Sequence, residues 1–509
     1  MSADRRTEIA VVGSGAGGSV VAYHLAAAGR AVTVIERGPF VRASEMTHDE
    51  PAMIARLYKD GGAQTNNEAD MFVLQGNCVG GSTVLTNAVC FRMPEDVRQS
   101  FGAHGFALPP DRLAAAYRRV ESVLNVSLLP EDLHNPATRR LENGFRAIGR
   151  EPGRFQKAML HCVGCGFCNI GCRYGRKMDA AQTWIPMAMA HGARIDAGIE
   201  VRRIEHSRGR VRGLRCREVA TGKEFVLRAE RYVLAGGAIN TPELLLRSGI
   251  HPSRAGKRTS FNAGAVAFGE FPEEVDGFDG DQMCVHYIEP RFGLEQIQNP
   301  PVSMALTLPG WGTDHAERMA NYRRLAALGV LVPTRPTGEV FLGVGHRLLK
   351  RFFDHSDIRF RMGADEVAAF RDGLATAAAA MLAGGATRVF LPLAGVPPVT
   401  RFADLDELPR FLRDQKDLVG FGSSHPQGGA AAGNDARRDV VDPEFRVHGF
   451  ENLFVSDASL FPHSIRVNPM LSVMAVADCA AEVIGGISMP DAIADGPVAN
   501  ARRAAVAAQ

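Results

Sequence analysis

No apolar run in this 509-residue chain approaches the roughly 18 residues needed to span a bilayer. Even LATAAAAMLAGGA, from Leu374 to Ala386, is short and reads as a helix ending at Gly384 and Gly385. No transmembrane segment is therefore expected. The N-terminus, MSADRRTEIAVVG, lacks the longer apolar segment and small-residue cleavage site of a secretory signal, so a cytoplasmic location is expected. Lys and Arg are scattered and the formal net charge is +2, which leaves no basic stripe for a nucleic-acid partner. Nine cysteines are too few for a disulfide framework in a chain of this length. Internal repeats and low-complexity tracts are missing, as is the G-x-S-x-G elbow of a serine hydrolase.

Glycine is in excess, at 54 residues against a usual share of about 7%. Ile9 to Val12 form a short apolar run, GSGAGG follows, SVVAYHLAAAG has helical composition, and AVTVIERG supplies a second strand ending on Glu36. Strand, glycine turn, helix and strand is the context in which G-x-G-x-x-G binds a dinucleotide. Gly13 permits the tight turn, Gly15 lets the backbone approach a pyrophosphate, and Gly18 lets the helix pack on the strands. Glu36 is placed to accept from a ribose hydroxyl, favouring an adenosine without a 2′-phosphate. The turn alone serves FAD and NAD alike.

A second glycine turn, NCVGGSTVLTN (Asn77 to Asn87), is too distant to bind the same phosphates from the same helix. A third stretch, RYVLAGGAINTPELLLRSG, predicts a strand from Tyr232 to Ala235. A helix should follow, with Thr241 as N-cap, Pro242 at its first position and Gly249 closing it. Three such turns suit a long cofactor lying extended across a domain. Between them, VRGLRCREVATGKEFVLRAERYV alternates loosely and turns at Thr221 and Gly222, as in an antiparallel meander.

These segments, with SSHPQGG (Ser423 to Gly429) and VVDPEFRVHGFENLFVSDASLFPHSIRVNPMLSVMAVA, resemble the glucose-methanol-choline (GMC) oxidoreductases, which oxidise alcohols with FAD. The resemblance covers most of the chain and is nearest to long-chain alcohol oxidases and dehydrogenases. It implies FAD, with GGSTVLTN beside the flavin ring and LAGGAINTPELLLRSG as the family's second characteristic segment. The implied cofactor-binding residues are Gly13, Gly15, Gly18, Glu36, Gly80, Gly81, Ser82, Asn87, Ala235, Gly236, Asp457 and Pro469. His425 is implied as the catalytic base and Asn468 as its partner. Neutral histidine suits removal of a hydroxyl proton as a hydride leaves the carbon, and asparagine has both a donor and an acceptor to orient that hydroxyl. His463 and His448 are the nearest rivals: His463 either lines the pocket, stands in partly for His425, or is bonded to backbone. Some members attach FAD through a histidine just before the flavin-loop asparagine; this chain has Thr86 there, so non-covalent FAD is expected.

Cys162, Cys165, Cys168 and Cys172 are spaced C-x2-C-x2-C-x3-C, a ferredoxin-like run whose usual following proline is replaced by Arg173. Zinc, which prefers cysteine pairs set further apart, fits less well. The segment resembles part of the iron-sulfur glucose dehydrogenases and equally resembles long-chain alcohol oxidases not known for a cluster. An iron-sulfur cluster and free thiols therefore both stand as readings. A cluster would imply single electrons passed to an external acceptor; FAD alone would fit oxygen or a diffusible one.

The expected architecture is α/β. A Rossmann-like FAD-binding domain with an inserted β-meander occupies 1–260 and 421–485, with a cysteine-rich segment at 161–177. A substrate-binding domain on an antiparallel sheet with helices occupies 261–420, and 486–509 is a tail. Within the substrate domain, PPVSMALTLPGWG and TGEVFLGVG read as strands and turns, and DEVAAFRDGLATAAAAMLAGGA as a helix. The expected reaction takes an alcohol, apolar by resemblance, to its carbonyl. A flavin-containing lyase of the hydroxynitrile type and a nicotinamide-dependent reductase are the alternatives.

Overall fold

The computed structural model of the chain describes residues 4–251, 253–343, 357–494 and 496–497. Short apolar runs bounded by turns build a parallel sheet of five strands. Their order is Leu453–Val455, Arg231–Leu234, Ile9–Val12, Val32–Glu36 and Arg194–Ala197. Its inner strands are buried almost throughout, as parallel strands covered on both faces must be. The helix Ala16–Ala27 leaves the first glycine turn and packs on the strands and on the helix Met470–Gly485, so it carries apolar residues on most sides. Ile199–Ser207, Arg210–Glu218 and Glu224–Arg228 form the expected meander, with Arg5–Arg6 added in parallel at its edge.

A second sheet, mostly antiparallel, has eight strands. Its spine is Asn262–Glu270 paired along its whole length with Leu325–Pro333, continued by Gly293–Gln296, Val285–Ile288 and Gly153–Arg154. On the other side lie Gly422–Ser423 and Phe72–Val73, and Arg388–Phe390 also pairs with the spine. Alternation divides the sheet: Leu328, Val330 and Val332 enter a core with Phe370, Leu374 and Met381 of the helix Ala364–Ala383. Ala327, Gly329 and Leu331 lie on the opposite face, where Ala327 joins a smaller apolar cluster with Phe268, Met304 and Phe390. The helix Pro136–Ala147 also joins this second core. The α/β class and the two layers agree with expectation.

Three local readings are corrected or bounded. PPVSMALTLPGWG is helical at Pro301–Thr307, because Glu50 accepts from the N–H groups of Val302 at 2.7 Å and Ser303 at 2.9 Å. The helix expected from Thr241 begins at Gly237 and runs to Arg247, so Pro242 lies inside it; Gly236 is its N-cap. Its start is held by Asp457, which accepts from Gly237 N–H at 2.8 Å and from the Thr241 hydroxyl at 2.6 Å. TGEVFLGVG is a strand over Gly338–Phe341, and its residues from 344 lie outside the described ones, as do 495 and 498–509 of the tail. Among the described residues no helix is long and apolar enough to cross a membrane.

Candidate active site

The three glycine turns, far apart in sequence, meet in space. Gly13 has φ +101°, and a Cβ there would fall 2.3 Å from the carbonyl oxygen of Ala235. That position admits only glycine on both counts. A Cβ on Gly81 would come within 2.9 Å of Gly15 Cα, so the second turn lies against the first, closer than its distance in sequence suggested. Gly15 caps the helix Ala16–Ala27 without any side-chain partner for the first N–H groups. Unpartnered helix N–H groups flanked by backbone too close for any side chain fit the pyrophosphate of a dinucleotide. A Cβ on Gly18 would fall 2.0 Å from the Gly13 carbonyl oxygen, so the helix passes close over the turn.

Ser14 joins these parts. Its hydroxyl donates to Glu36 Oε2 at 2.7 Å and accepts from Gly80 N–H at 3.0 Å. Glu36 also accepts from Ser14 N–H at 3.1 Å and Gly38 N–H at 2.8 Å. A carboxylate has about four lone-pair sites, so after these three bonds Glu36 keeps one on Oε1. Asp457 is committed to the protein: besides Gly237 and Thr241, it accepts from Ser459 N–H at 2.8 Å. It braces the third turn.

The loop Gly80 to Asn87 begins with a short 3-10 turn, Gly81–Leu85. Ser82 Oγ accepts from Gly76 N–H at 3.0 Å, and Thr86 Oγ1 donates to the Thr83 carbonyl at 3.1 Å. Lys177 holds this loop from below. Its Nζ donates to the carbonyls of Val84 at 2.6 Å, Thr86 at 2.9 Å and Cys168 at 2.6 Å.

His425 and Asn468 come together: His425 Nε2 and Asn468 Nδ2 are 3.5 Å apart. Asn468 Nδ2 also donates to Glu295 Oε2 at 3.4 Å, a residue on the spine-facing strand Gly293–Gln296 that no local pattern marks. Pro469 follows as N-cap of the helix Met470–Gly485, which fixes where Asn468 points. Burial pushes His425 down to about 4, so the imidazole is neutral near physiological pH, and pushes Glu295 up to about 7. His425 Nδ1, Asn468 Oδ1 and Asn87 Oδ1 are buried with no hydrogen-bond partner among the described residues. Buried orphans of this kind point to a ligand that would satisfy them. Asn262 ties both segments to the sheet. Its Nδ2 donates to the Val467 carbonyl at 2.9 Å, and its own carbonyl accepts from Ser423 Oγ at 2.6 Å. Ser423 Oγ in turn accepts from His425 N–H at 3.0 Å.

The rival histidines lie elsewhere. His463 is engaged at both ring nitrogens, with Ser100 Oγ and the Ser464 carbonyl, each at 2.9 Å. His448 Nε2 meets the Gly433 carbonyl at 3.0 Å.

Cys162, Cys165, Cys168 and Cys172 line one small cavity with Lys177 and Asp281. Burial pushes the thiols of Cys162 and Cys165 up, and that of Cys168 up to about 12, which favours S–H over the thiolate that a metal needs. Among the described residues no three His, Cys, Asp or Glu side chains are grouped to hold a metal ion, and the cysteines are free thiols. As placed, the four sulfurs do not fit an iron-sulfur cluster.

Residues 54–263 and 353–477 match the GMC oxidoreductase family, and residues 11–66 match the NAD(P)-binding Rossmann-like domain. An uncharacterized GMC-type oxidoreductase of Mycobacterium tuberculosis is 32% identical over 94% of this chain and 75% of its own. A long-chain-alcohol oxidase of Arabidopsis thaliana is 28% identical over 94% of this chain and 67% of its own. Pyridoxine 4-oxidase from Mesorbium loti shares the fold with a TM-score of 0.68 at 18% identity, covering 95% of this chain and 100% of that one. A formate oxidase variant of Aspergillus oryzae superposes with a TM-score of 0.71 at 15% identity, covering 96% and 99%. Sequence match and fold agree, and the chain belongs to the GMC oxidoreductases, a family of FAD-binding enzymes.

Proposed function

We propose that this protein oxidises an apolar alcohol to its carbonyl with non-covalent FAD, using His425 as the base. The observation that carries the reading is the meeting of His425, Asn468 and Glu295 beside buried polar atoms left without partners. Bound FAD supplies the hydride acceptor. The Asn468 Nδ2 group beside His425 Nε2 can donate to the oxygen of a substrate hydroxyl and hold it with its proton toward the imidazole. His425 Nε2 takes the hydroxyl proton as the C–H hydride leaves, and the alkoxide never has to stand alone. The glycine turns with Ser14 and Glu36 hold the dinucleotide, and Thr86, bonded to its own loop, offers no group for a covalent link to flavin. Support for an apolar substrate comes from the sheet face bearing Glu295, where the neighbouring positions are Val266, Gly329 and Leu331, and from the similarity to long-chain-alcohol oxidases. The electron acceptor is oxygen or a diffusible external molecule, and no step passes through the cysteines.

Anaerobic mixing with 1-decanol and with glucose tests this. The expected result is bleaching of the flavin bands by decanol, slowed about a hundredfold or more in His425→Ala, with flavin released by acid. Reduction by glucose alone would overturn the substrate class. Turnover without bleaching would favour the lyase, and flavin retained by denatured protein would overturn non-covalent binding.

A further inference from the structure

We infer that Glu295 is a positioning residue for the base pair: its carboxylate fixes the amide of Asn468 and supplies the negative charge that balances His425 once it holds the substrate proton. This rests on the alcohol-oxidation reading above and adds to it a group from the substrate sheet.

Glu295 is only 4% exposed, a position where a carboxylate is seldom found without a partner. Its Oε2 accepts from Asn468 Nδ2 at 3.4 Å, and Asn468 Nδ2 in turn faces His425 Nε2 at 3.5 Å. With one amide N–H given to the carboxylate, the other is aimed at the imidazole and at the hydroxyl oxygen that would sit beside it. Without Glu295 the amide has no fixed sense, and its oxygen and nitrogen can exchange places. The groups facing Glu295 are few. Lys157, whose Nζ donates to Asp281 at 2.9 Å, pulls the carboxyl toward ionisation, and His286 stands opposite in the neighbouring strand. Burial pushes His286 down to about 4, so it brings no charge at neutral pH. On the other side the ladder places Gly329, which has no side chain to intervene.

When His425 takes a proton in a buried site, the imidazolium needs a counter-charge. An ionised Glu295, one amide away, is the nearest carboxylate in the hydrogen-bonded chain. Because burial holds its carboxyl near neutrality, the supply of that charge changes over the pH range in which an enzyme works.

The test uses the FAD-loaded protein and 1-decanol as probe. Wild-type flavin reduction is expected to rise through about pH 7 as the carboxyl ionises. Glu295→Gln should lose that limb and run tenfold or more below wild type at pH 8, with KM little changed. Glu295→Asp should recover part of the rate. A Glu295→Gln profile that keeps the wild-type limb overturns the inference. Failure of wild-type protein to bleach with any alcohol overturns the underlying reading instead. Infrared titration separates the two without turnover. A protonated-carboxyl band that is absent in Glu295→Gln should titrate near pH 7 in wild type and higher in Asn468→Ala, where the carboxylate loses its donor. An unmoved band in Asn468→Ala would refute the contact.

Discussion

Replacing Lys177 by methionine should loosen the loop Gly80 to Asn87 and release FAD. The lysine is 1% exposed, and its three donors go to the carbonyls of Val84, Thr86 and Cys168. Methionine keeps an apolar stem of similar length and removes all three. Hydrogen bonds from a charged donor contribute about 1.5–3 kcal/mol each, so the gross loss is about 4–9 kcal/mol. Relief from burying an ammonium offsets several kcal/mol of this, leaving a net of about 3 kcal/mol. Felt at the cofactor loop, that is about a 150-fold weaker Kd for FAD. The effect has a pH sense. Burial pushes Asp179 up to about 6 against the pull of Lys177, so at pH 8 the variant loses the cation that favours this ionised carboxylate in wild type, while well below pH 6 the carboxyl is mostly neutral in both proteins. The defect should therefore be larger at pH 8 than at pH 5.5. Titration of deflavinated protein with FAD measures the affinity, and hydrogen exchange over 81–88 and 168–172 locates the loosening. FAD affinity within threefold of wild type, with unchanged exchange, would refute the reasoning.

Two further outcomes are expected. Asp478→Asn removes the partner of Arg119, bonded at 3.1 Å, and of His24, at 2.9 Å, in a fully buried cluster behind the first helix. Leaving that guanidinium uncompensated should destabilise by about 3–5 kcal/mol, seen as a lower unfolding temperature; an unchanged one would show the cluster is solvated. Alkylation at pH 8 followed by mass spectrometry should find Cys168 nearly inert, since a thiol pushed up to about 12 has about a thousandfold less thiolate than one in an unfolded chain. Equal labelling of Cys168 and Cys172 would contradict that burial.

The glycine turn was legible because its parts are local: Gly13, Gly15 and Gly18 fall between the strand and helix that the spacing implies, and Glu36 ends the next strand beside them. His425 and Asn468 were legible only through resemblance, yet they meet. Glu295 and Asn262 were not, since each acts on residues remote in sequence and sits in a stretch without a motif; Lys177 ends the cysteine-rich segment, but nothing there signals its bonds to the carbonyls of Val84 and Thr86. The helix Pro301–Thr307 was misread for the same reason: its cap, Glu50, comes from the other end of the chain. At Thr241 a genuine Thr-Pro start signal lost to the Gly236 turn, because Asp457 offered the turn's N–H groups a carboxylate. The cysteine spacing was specific, but spacing cannot report burial, which pushes the thiols of Cys162, Cys165 and Cys168 up.

Asn262 opens the central strand of the substrate sheet and holds the segments of both His425 and Asn468. In the proposed reaction, the proton-handling pair is thus mounted on the same layer as the proposed alcohol-facing side chains, like a tool fixed to the workpiece clamp. Reshaping that layer at its first residue would detune the base together with the fit. On the proposed reading, divergence toward new alcohols would fall to side chains further along the same face, such as Val266 and Leu331, rather than to Asn262.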